Sequence, residues 1–364
     1  MPIAVPLSSY AHVPETQEAL DWADLPTIDL SLNATPEGRA QLAETLIDAL
    51  RTKGFFYVTN FGISQAEVDS QFAIGDQFYG LPLAEKLQYV PDLENGEYNG
   101  YRPAGRRVLS SGVPDRVEVY NIPKPEVPQA FPPLIESHLP EIRGFQEKLH
   151  EHVLTPLLTL IATALELPPD ALTNLHQWGK RAEDHLRYMK YNRHPAEDYE
   201  RLEEGDGLYV TGHTDLGTLT LLFRQPVAGL QIRDHDTGAW KWAKPLDASL
   251  TVNACDALSF LTGGYVRSTI HRVHVPPRDQ RDVDRLGLLY FARPNQGVVL
   301  KTLASPVLAR EGFTANDFER AGKPAPTIDE FTVAKQTWQQ SKSSVFRAKD
   351  GQEIVPGFKG QYHD

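Results

Sequence analysis

Gly212-His213-Thr214-Asp215-Leu216-Gly217-Thr218-Leu219-Thr220-Leu221-Leu222 is the stretch on which the reading of this chain turns. In an extended strand, side chains at i and i+2 point to the same face, so His213 and Asp215 present an imidazole and a carboxylate side by side. A triplet of this kind is a weak signal in isolation, because a surface turn carrying two polar residues reads the same way. The residues after it change the balance. The apolar run to Leu222 carries the strand on into buried sheet.

Downstream lies Ser268-Thr269-Ile270-His271-Arg272-Val273-His274-Val275. On a strand, His271, Val273 and Val275 share one face, while Ile270, Arg272 and His274 share the other. One histidine can therefore join His213 and Asp215, and periodicity alone does not choose between His271 and His274. Two histidines and one carboxylate on one face of an iron leave positions open for a cosubstrate and O₂. Further on, Arg285, Gly287, Leu289 and Phe291 share a strand face. A guanidinium inside a barrel is unfavourable without a partner. A dicarboxylate cosubstrate supplies one through a bidentate contact. The alternative is an arginine at the strand mouth, in water.

Around these segments the texture divides the chain. In the first half helical signals dominate. Thr35 caps a helix with Pro36 at its first position, and Leu42, Ala43, Leu46, Ile47 and Leu50 form its apolar stripe up to Gly54. A second amphipathic helix is predicted between Glu141 and Glu166, with Phe145, Leu149, Val153, Leu157 and Ile161 inward and Pro156 as a kink. From about residue 183 short β-prone runs alternate with turns, at 230–233, 240–242, 250–253, 269–275, 286–291 and 298–300. The run Asp234-His235-Asp236-Thr237-Gly238 forms a hairpin turn. The fold expected is α+β: a double-stranded β-helix, or jelly-roll, core with an N-terminal helical and mixed region and a C-terminal helical cover. The divisions expected are 1–182, 183–300 and 301–364, packed as one compact unit.

Composition narrows the function. The chain has 364 residues, 41% of them apolar, and a net charge of −12 without a long basic run. Nucleic acid and anionic membranes are poor partners for such a surface. No apolar run approaches the roughly 18 residues of a membrane span, and residues 1–20 lack the pattern of a signal peptide. The single cysteine, Cys255, allows no intrachain disulfide and reads as a small buried residue. The expectation is a cytoplasmic protein with a small-molecule substrate; nothing in the sequence specifies an oligomeric state. His150-Glu151-His152 looks metal-like, but i and i+2 on a helix do not face each other, so these are expected to be solvated. His235 and His363 are expected to be unremarkable.

The ordered motifs resemble the isopenicillin N synthase-like superfamily of 2-oxoglutarate-dependent oxygenases over roughly Leu25 to Pro294. The matching segments in the first half are Leu25–Leu30, Lys53–Val58, Leu81–Lys86, Gly100-Tyr101 and Asp115–Glu118. In the second half they are Gly212–Asp215, Val252–Leu258, Thr262–Tyr265 and Ser268–Val273. The resemblance implies His213, Asp215 and His271 as ligands of Fe(II), with His271 preferred because Arg-Val follows it. It implies Arg285 and Tyr191 as contacts to 2-oxoglutarate, and O₂ as the second cosubstrate. Gly287 stands where relatives usually have serine, so a hydroxyl contact to the cosubstrate is missing or supplied by another group. Met189 stands where many carry asparagine, and Phe61 where histidine is common. The substrate, a small molecule plausible for specialised metabolism, is expected over the iron, against Phe291 and near Tyr101. Two rival readings are an iron oxidase of the same superfamily that does not use 2-oxoglutarate, and a non-catalytic jelly-roll binding protein.

Overall fold

The computed structural model of the chain describes residues 6–340 and 351–359; His363 lies outside them. In chain order the elements are β1 (Thr27–Asp29), α1 (Pro36–Thr52), β2 (Phe55–Thr59), α2 (Gln65–Tyr79), α3 (Leu83–Lys86), β3 (Gly100–Arg102), β4 (Val117–Pro123), α4 (Pro133–Leu149) and α5 (Thr155–Ala164). They continue as β5 (His185–Tyr191), α6 (Ala196–Gly205), β6 (Leu208–His213), β7 (Leu219–Phe223), β8 (Leu230–Arg233), β9 (Trp240–Trp242), β10 (Ser249–Ala254), α7 (Asp256–Leu261), β11 (His271–His274) and β12 (Arg285–Ala292). Three helices follow, α8 (Pro306–Arg310), α9 (Asp317–Arg320) and α10 (Ile328–Gln340), then a hairpin of β13 (Glu353–Val355) and β14 (Phe358–Lys359).

Two sheets face each other in a jelly roll. The larger runs β1-β2-β10-β7-β12-β5-β4-β3 and the smaller β6-β11-β8-β9. The eight strands from β5 to β12 are shared equally between the sheets. The four strands before residue 183 extend the larger sheet at both edges, so the N-terminal region is built into the same sheet as the core. On β5 and β12, Leu186, Tyr188, Leu288 and Tyr290 turn into the helical layer beside Phe72, Ile74 and Phe78 of α2. The alternate residues, among them Arg187, Met189, Tyr191, Arg285, Gly287, Leu289 and Phe291, turn into the space between the sheets.

The local causes are those of the sequence. The Thr35 side chain accepts from the Gly38 N–H at 3.0 Å, and Leu42, Ala43, Leu46, Ala49 and Leu50 are buried. Gly54, at φ +68°, ends this helix where a Cβ would strike Thr269, so the turn requires glycine.

Three expectations are corrected. The second helix begins at Pro133, well before Glu141, and its irregularity is a widened turn at His150–Leu154 immediately before Pro156. A proline ring clashes with the carbonyl four residues back, and the wider turn relieves that clash. His150 is buried beneath Trp178, ring centroids 5.3 Å apart, because the widened turn rotates it inward; only Glu151 and His152 are solvated. Residues 298–300 form no strand: Val299 makes one isolated bridge to Thr327, and Leu300 is buried in the small core under α9 and α10.

Burial pushes both His150 and His176 down to about 4. In the unfolded chain histidine titrates near 6.5, so between about pH 6.5 and 4 the unfolded chain binds more protons than the folded one. Stability is full above that window and is lost as pH falls through it. The urea midpoint is expected to be lower at pH 5 than at pH 7, with a smaller drop in His150→Gln. An equal or higher midpoint at pH 5 would contradict this account.

Candidate active site

His213 ends β6 and His271 begins β11, and the two are cross-strand partners with ring centroids 4.4 Å apart. Asp215 lies just beyond β6, in the turn towards β7, so its approach to the histidines comes from the turn and not from a shared strand face. One ligand atom from each of His213, Asp215 and His271 lies within 4.8 Å of the others. His213 Nε2 is 3.8 Å from Asp215 Oδ1, and His271 Nε2 is 3.7 Å from Asp215 Oδ2. His271 and Val273 face the cavity. His274 faces away, its ring edge-on to Trp242, so the strand settles which histidine joins the cluster.

The surrounding contacts leave the cluster ready to donate. His213 Nδ1 is 2.9 Å from the Thr211 carbonyl and His271 Nδ1 is 3.1 Å from the Thr269 carbonyl. A carbonyl only accepts, so each Nδ1 carries the proton and each Nε2 keeps its lone pair. Burial pushes the His213 imidazole down to about 4. Burial alone would raise the Asp215 carboxyl. The two imidazoles and the hydrogen bonds from Asn253 Nδ2 (3.0 Å) and Thr220 Oγ1 (2.8 Å) outweigh it and hold the group well below the usual range. Lys335 of α10 donates to the Thr214 carbonyl at 2.9 Å and pairs with Asp256, fixing the residue between His213 and Asp215.

A cavity of about 220 Å³ opens on the three donors. Along it lies Arg285, buried, with its guanidinium 4.7 Å over the Tyr191 ring and its Nε without a partner. Burial lowers its affinity for its proton. Beside it, Gly287 leaves a space that Gln225 enters: a Cβ on Gly287 would be 3.4 Å from Gln225 Oε1, itself unpartnered. Met189 and Phe291 both line the cavity. Phe291 stacks on His185 at 4.8 Å and carries Arg187 at 4.4 Å. Tyr101 is not brought to the cavity. It is fully buried on the far side, edge-on to Phe78 and under Lys86, and Tyr98 lines the cavity instead. Asn253, Gln225, Arg187 and Asn121 were not singled out from sequence. Arg187 had a signal, since it lies four residues from Tyr191 and so shares its strand face.

The donor set fits one iron: two imidazole nitrogens and one carboxylate oxygen on one side, open space on the other. Arg285, buried with its Nε unpartnered, fits a carboxylate. Comparison with known proteins agrees. The family described as "non-haem dioxygenase in morphine synthesis N-terminal" matches residues 25–140, and the 2OG-Fe(II) oxygenase superfamily matches residues 183–294. The 2-oxoglutarate-dependent dioxygenase frbA of a Dothideomycetidae species is 30% identical over 322 residues, 79% of this chain and 90% of that one. A UPF0676 protein of Schizosaccharomyces pombe is 32% identical over 292 residues, 77% and 85% of the two chains. A full-length Neurospora crassa protein, crystallised in complex with alpha-KG, shares the fold, with a TM-score of 0.74 at 22% identity, over 88% of this chain and 99% of that one. The chain belongs to the 2OG-Fe(II) oxygenase superfamily. It is a 2-oxoglutarate-dependent dioxygenase, working with Fe(II), 2-oxoglutarate and O₂.

Cys255 sits behind this site, buried, with Sγ 3.4 Å from Thr220 Oγ1, and burial pushes its thiol well above the ordinary range. The native protein is expected to be inert to Ellman's reagent at pH 8 and to release one equivalent of thiolate reagent product only after unfolding. Rapid reaction of the native protein would refute that placement.

Proposed function

We propose that His213, Asp215 and His271 hold the Fe(II), that Arg285 and Tyr191 receive the far carboxylate of 2-oxoglutarate, and that the enzyme oxidises a small organic molecule lying against Phe291. The observation that carries this reading is the convergence of three donor atoms within 4.8 Å on a cavity that also holds a buried arginine whose Nε is unpartnered. Bound there, iron supplies the coupling of 2-oxoglutarate decarboxylation by O₂ to oxidation of the substrate. The chain's own groups bind and orient. The Nδ1 hydrogen bonds of both histidines fix the ring planes, and Asn253 and Thr220 hold one Asp215 oxygen so that the other is free. No side chain is required as general acid or base. Gln225 faces the Gly287 gap with its carboxamide oxygen, an acceptor, and its amide nitrogen donates to main-chain carbonyls, so it does not replace the hydroxyl that glycine lacks. Hydroxylation is the default outcome of such a site, with desaturation or ring rearrangement as variants. We assign the reaction to specialised metabolism in a reducing compartment such as the cytoplasm, where Cys255 stays a thiol.

Two sets of variants test the reading. Asp215→Ala is expected to lose stoichiometric iron and all turnover while keeping its far-ultraviolet circular dichroism, because the jelly-roll core does not rest on the ion. Asn253→Ala is expected to weaken Fe(II) binding about 10–100-fold, the usual effect of removing a group that orients a ligand. Full activity in Asp215→Ala would sink the metal assignment.

For Arg285, a buried carboxylate left without its partner costs roughly 2–5 kcal/mol. Arg285→Ala is therefore expected to raise the Michaelis constant for 2-oxoglutarate at least about tenfold, at about 1.4 kcal/mol per decade. Arg285→Lys keeps the charge but loses the planar fork and is expected to fall between. The measurement is initial succinate release against 2-oxoglutarate concentration at saturating Fe(II). An unchanged constant in Arg285→Ala would remove Arg285 from the cosubstrate site.

A further inference from the structure

We propose that the substrate is an organic anion whose carboxylate, or equivalent oxyanion, is received by Arg187 beside Phe291, at the other end of the cavity floor from Arg285. This rests on the reading of the site given above and names its substrate class.

The first observation is charge. Five arginines line the cavity, Arg102, Arg107, Arg187, Arg285 and Arg293, against one carboxylate, Asp215. The chain as a whole carries a net charge of −12. A basic interior in an acidic protein is not a by-product of composition. Fe(II) and 2-oxoglutarate bring equal and opposite charges, so their joint arrival leaves the excess in place.

The second observation is which of these arginines is already engaged. Arg285 belongs to the cosubstrate in the reading above. Arg102 lies 3.8 Å from the Asp115 carboxylate. Arg187 meets no carboxylate among the described residues. Its Nε donates to Asn121 Oδ1 at 2.7 Å, and one terminal nitrogen is 3.5 Å from His185 Nε2. Burial and the neighbouring Arg293 push His185 well below its ordinary range, so it is neutral and brings no negative charge. Arg293 donates to the Tyr98 hydroxyl and leaves its buried Nε without a partner. Burial pushes Arg187 down to about 10, which leaves it charged at neutral pH. Arg187 is half-buried, and a guanidinium partly withdrawn from water without an ion-pair partner is unfavourable. A ligand carboxylate removes that penalty through short, charge-assisted hydrogen bonds.

The third observation is position. Across the sheet Arg187 pairs with Asn121 on one side and Leu289 on the other, whereas Arg285 pairs with Tyr191. Four residues along β5 separate the two registers, about 13 Å at roughly 3.3 Å per residue. Asp215 is the carboxylate that acts on Arg187 through space. A five-carbon diacid that spans from the metal to Arg285 does not also reach Arg187. Asn121 anchors the guanidinium over the Phe291 ring, so the anion docks at a fixed place with the apolar body of the substrate free to lie against Phe291 and Leu289.

The test uses matched pairs of probes, benzoate with benzamide, phenylacetate with phenylacetamide and cinnamate with cinnamamide. Each is titrated calorimetrically, without O₂, into full-length enzyme loaded with Fe(II) and 2-oxoglutarate. At least one acid is expected to bind about tenfold or more tightly than its amide, as the pairing of a buried charge requires. In Arg187→Gln that preference is expected to disappear while Fe(II) and 2-oxoglutarate still bind, which also shows that the variant folds. Arg187→Lys is expected to restore part of it. Equal binding of acids and amides, a preference that survives Arg187→Gln, or no binding of any of the acids overturns the proposal. Failure of the wild type to bind Fe(II) or 2-oxoglutarate is a separate result, and it would strike the reading of the site itself.

Discussion

Two imidazoles reach one carboxylate because His213 and His271 are paired across neighbouring antiparallel strands, and the rest of the site is arranged around that register. A slip of one residue in β11 would replace His271 by Arg272 and turn the histidine out of the cavity. The pairing of β11 with β6 is irregular beyond His271, and its pairing with β8 holds the strand from the other side. The start of β11 is fixed from the N-terminal region: Thr269 Oγ1 donates to the Lys53 carbonyl at 2.8 Å, and the Arg267 N–H donates to the Leu50 carbonyl at 3.1 Å. Both carbonyls belong to the end of α1, at the turn that only Gly54 allows. The first helix of the chain thus sets the position of a residue more than two hundred places later.

The other end of the chain acts on the same cluster. Lys335 and Asp256 form an ion pair that is almost wholly buried, each side chain about 5% exposed. Such a pair is weak evidence for stability, since desolvation offsets much of the attraction. Its geometric consequences are clearer. Asp256 takes a hydrogen bond from Ser268 at 2.6 Å and donates its own N–H to the Asp215 carbonyl at 2.9 Å, and Lys335 holds Thr214. Both histidine segments and the aspartate turn are therefore referred to one point beneath α10. The same helix brings Gln336 and Gln339 to the cavity wall. The C-terminal cover is a structural part of the site as well as its roof.

Sequence reading reached the parts of this arrangement that depend on local pattern. The Thr35 cap, the stripe from Leu42 to Leu50 and most short strands are dictated by neighbours within a few residues. The cluster of His213, Asp215 and His271 was legible as a set of motifs, but strand periodicity alone did not exclude His274, and only the family resemblance did, because two faces of one strand are equivalent until the second sheet is placed. The same limit explains the misses. His150 turns inward because Pro156 widens the turn before it. Residues 298–300 resemble a strand but find no neighbouring strand to join. Tyr101 lies on the helical side of its sheet, a choice of face that a three-residue strand does not announce. Gln225 meets Gly287 only through the folded sheet, so their contact has no local signature.

The charged floor of the cavity has a consequence for selectivity that differs from that of its apolar wall. An apolar wall discriminates weakly, since one methylene more or less is worth only about 1–3 kcal/mol. A buried polar group discriminates through what a wrong ligand leaves unpaired, and that penalty is larger. Arg187 and Arg285 stand on β5 and β12, in the middle of an eight-stranded sheet whose opposite face is sealed by Tyr188, Leu288 and Tyr290. Arg285 is buried and Arg187 half-buried; Arg187 Nε donates to Asn121, and Arg285 lies over the Tyr191 ring. Part of the cost of desolvating and orienting these cations is thus met during folding. A floor that carries two guanidiniums four residues apart in register along the sheet discriminates by charge more than its apolar wall can.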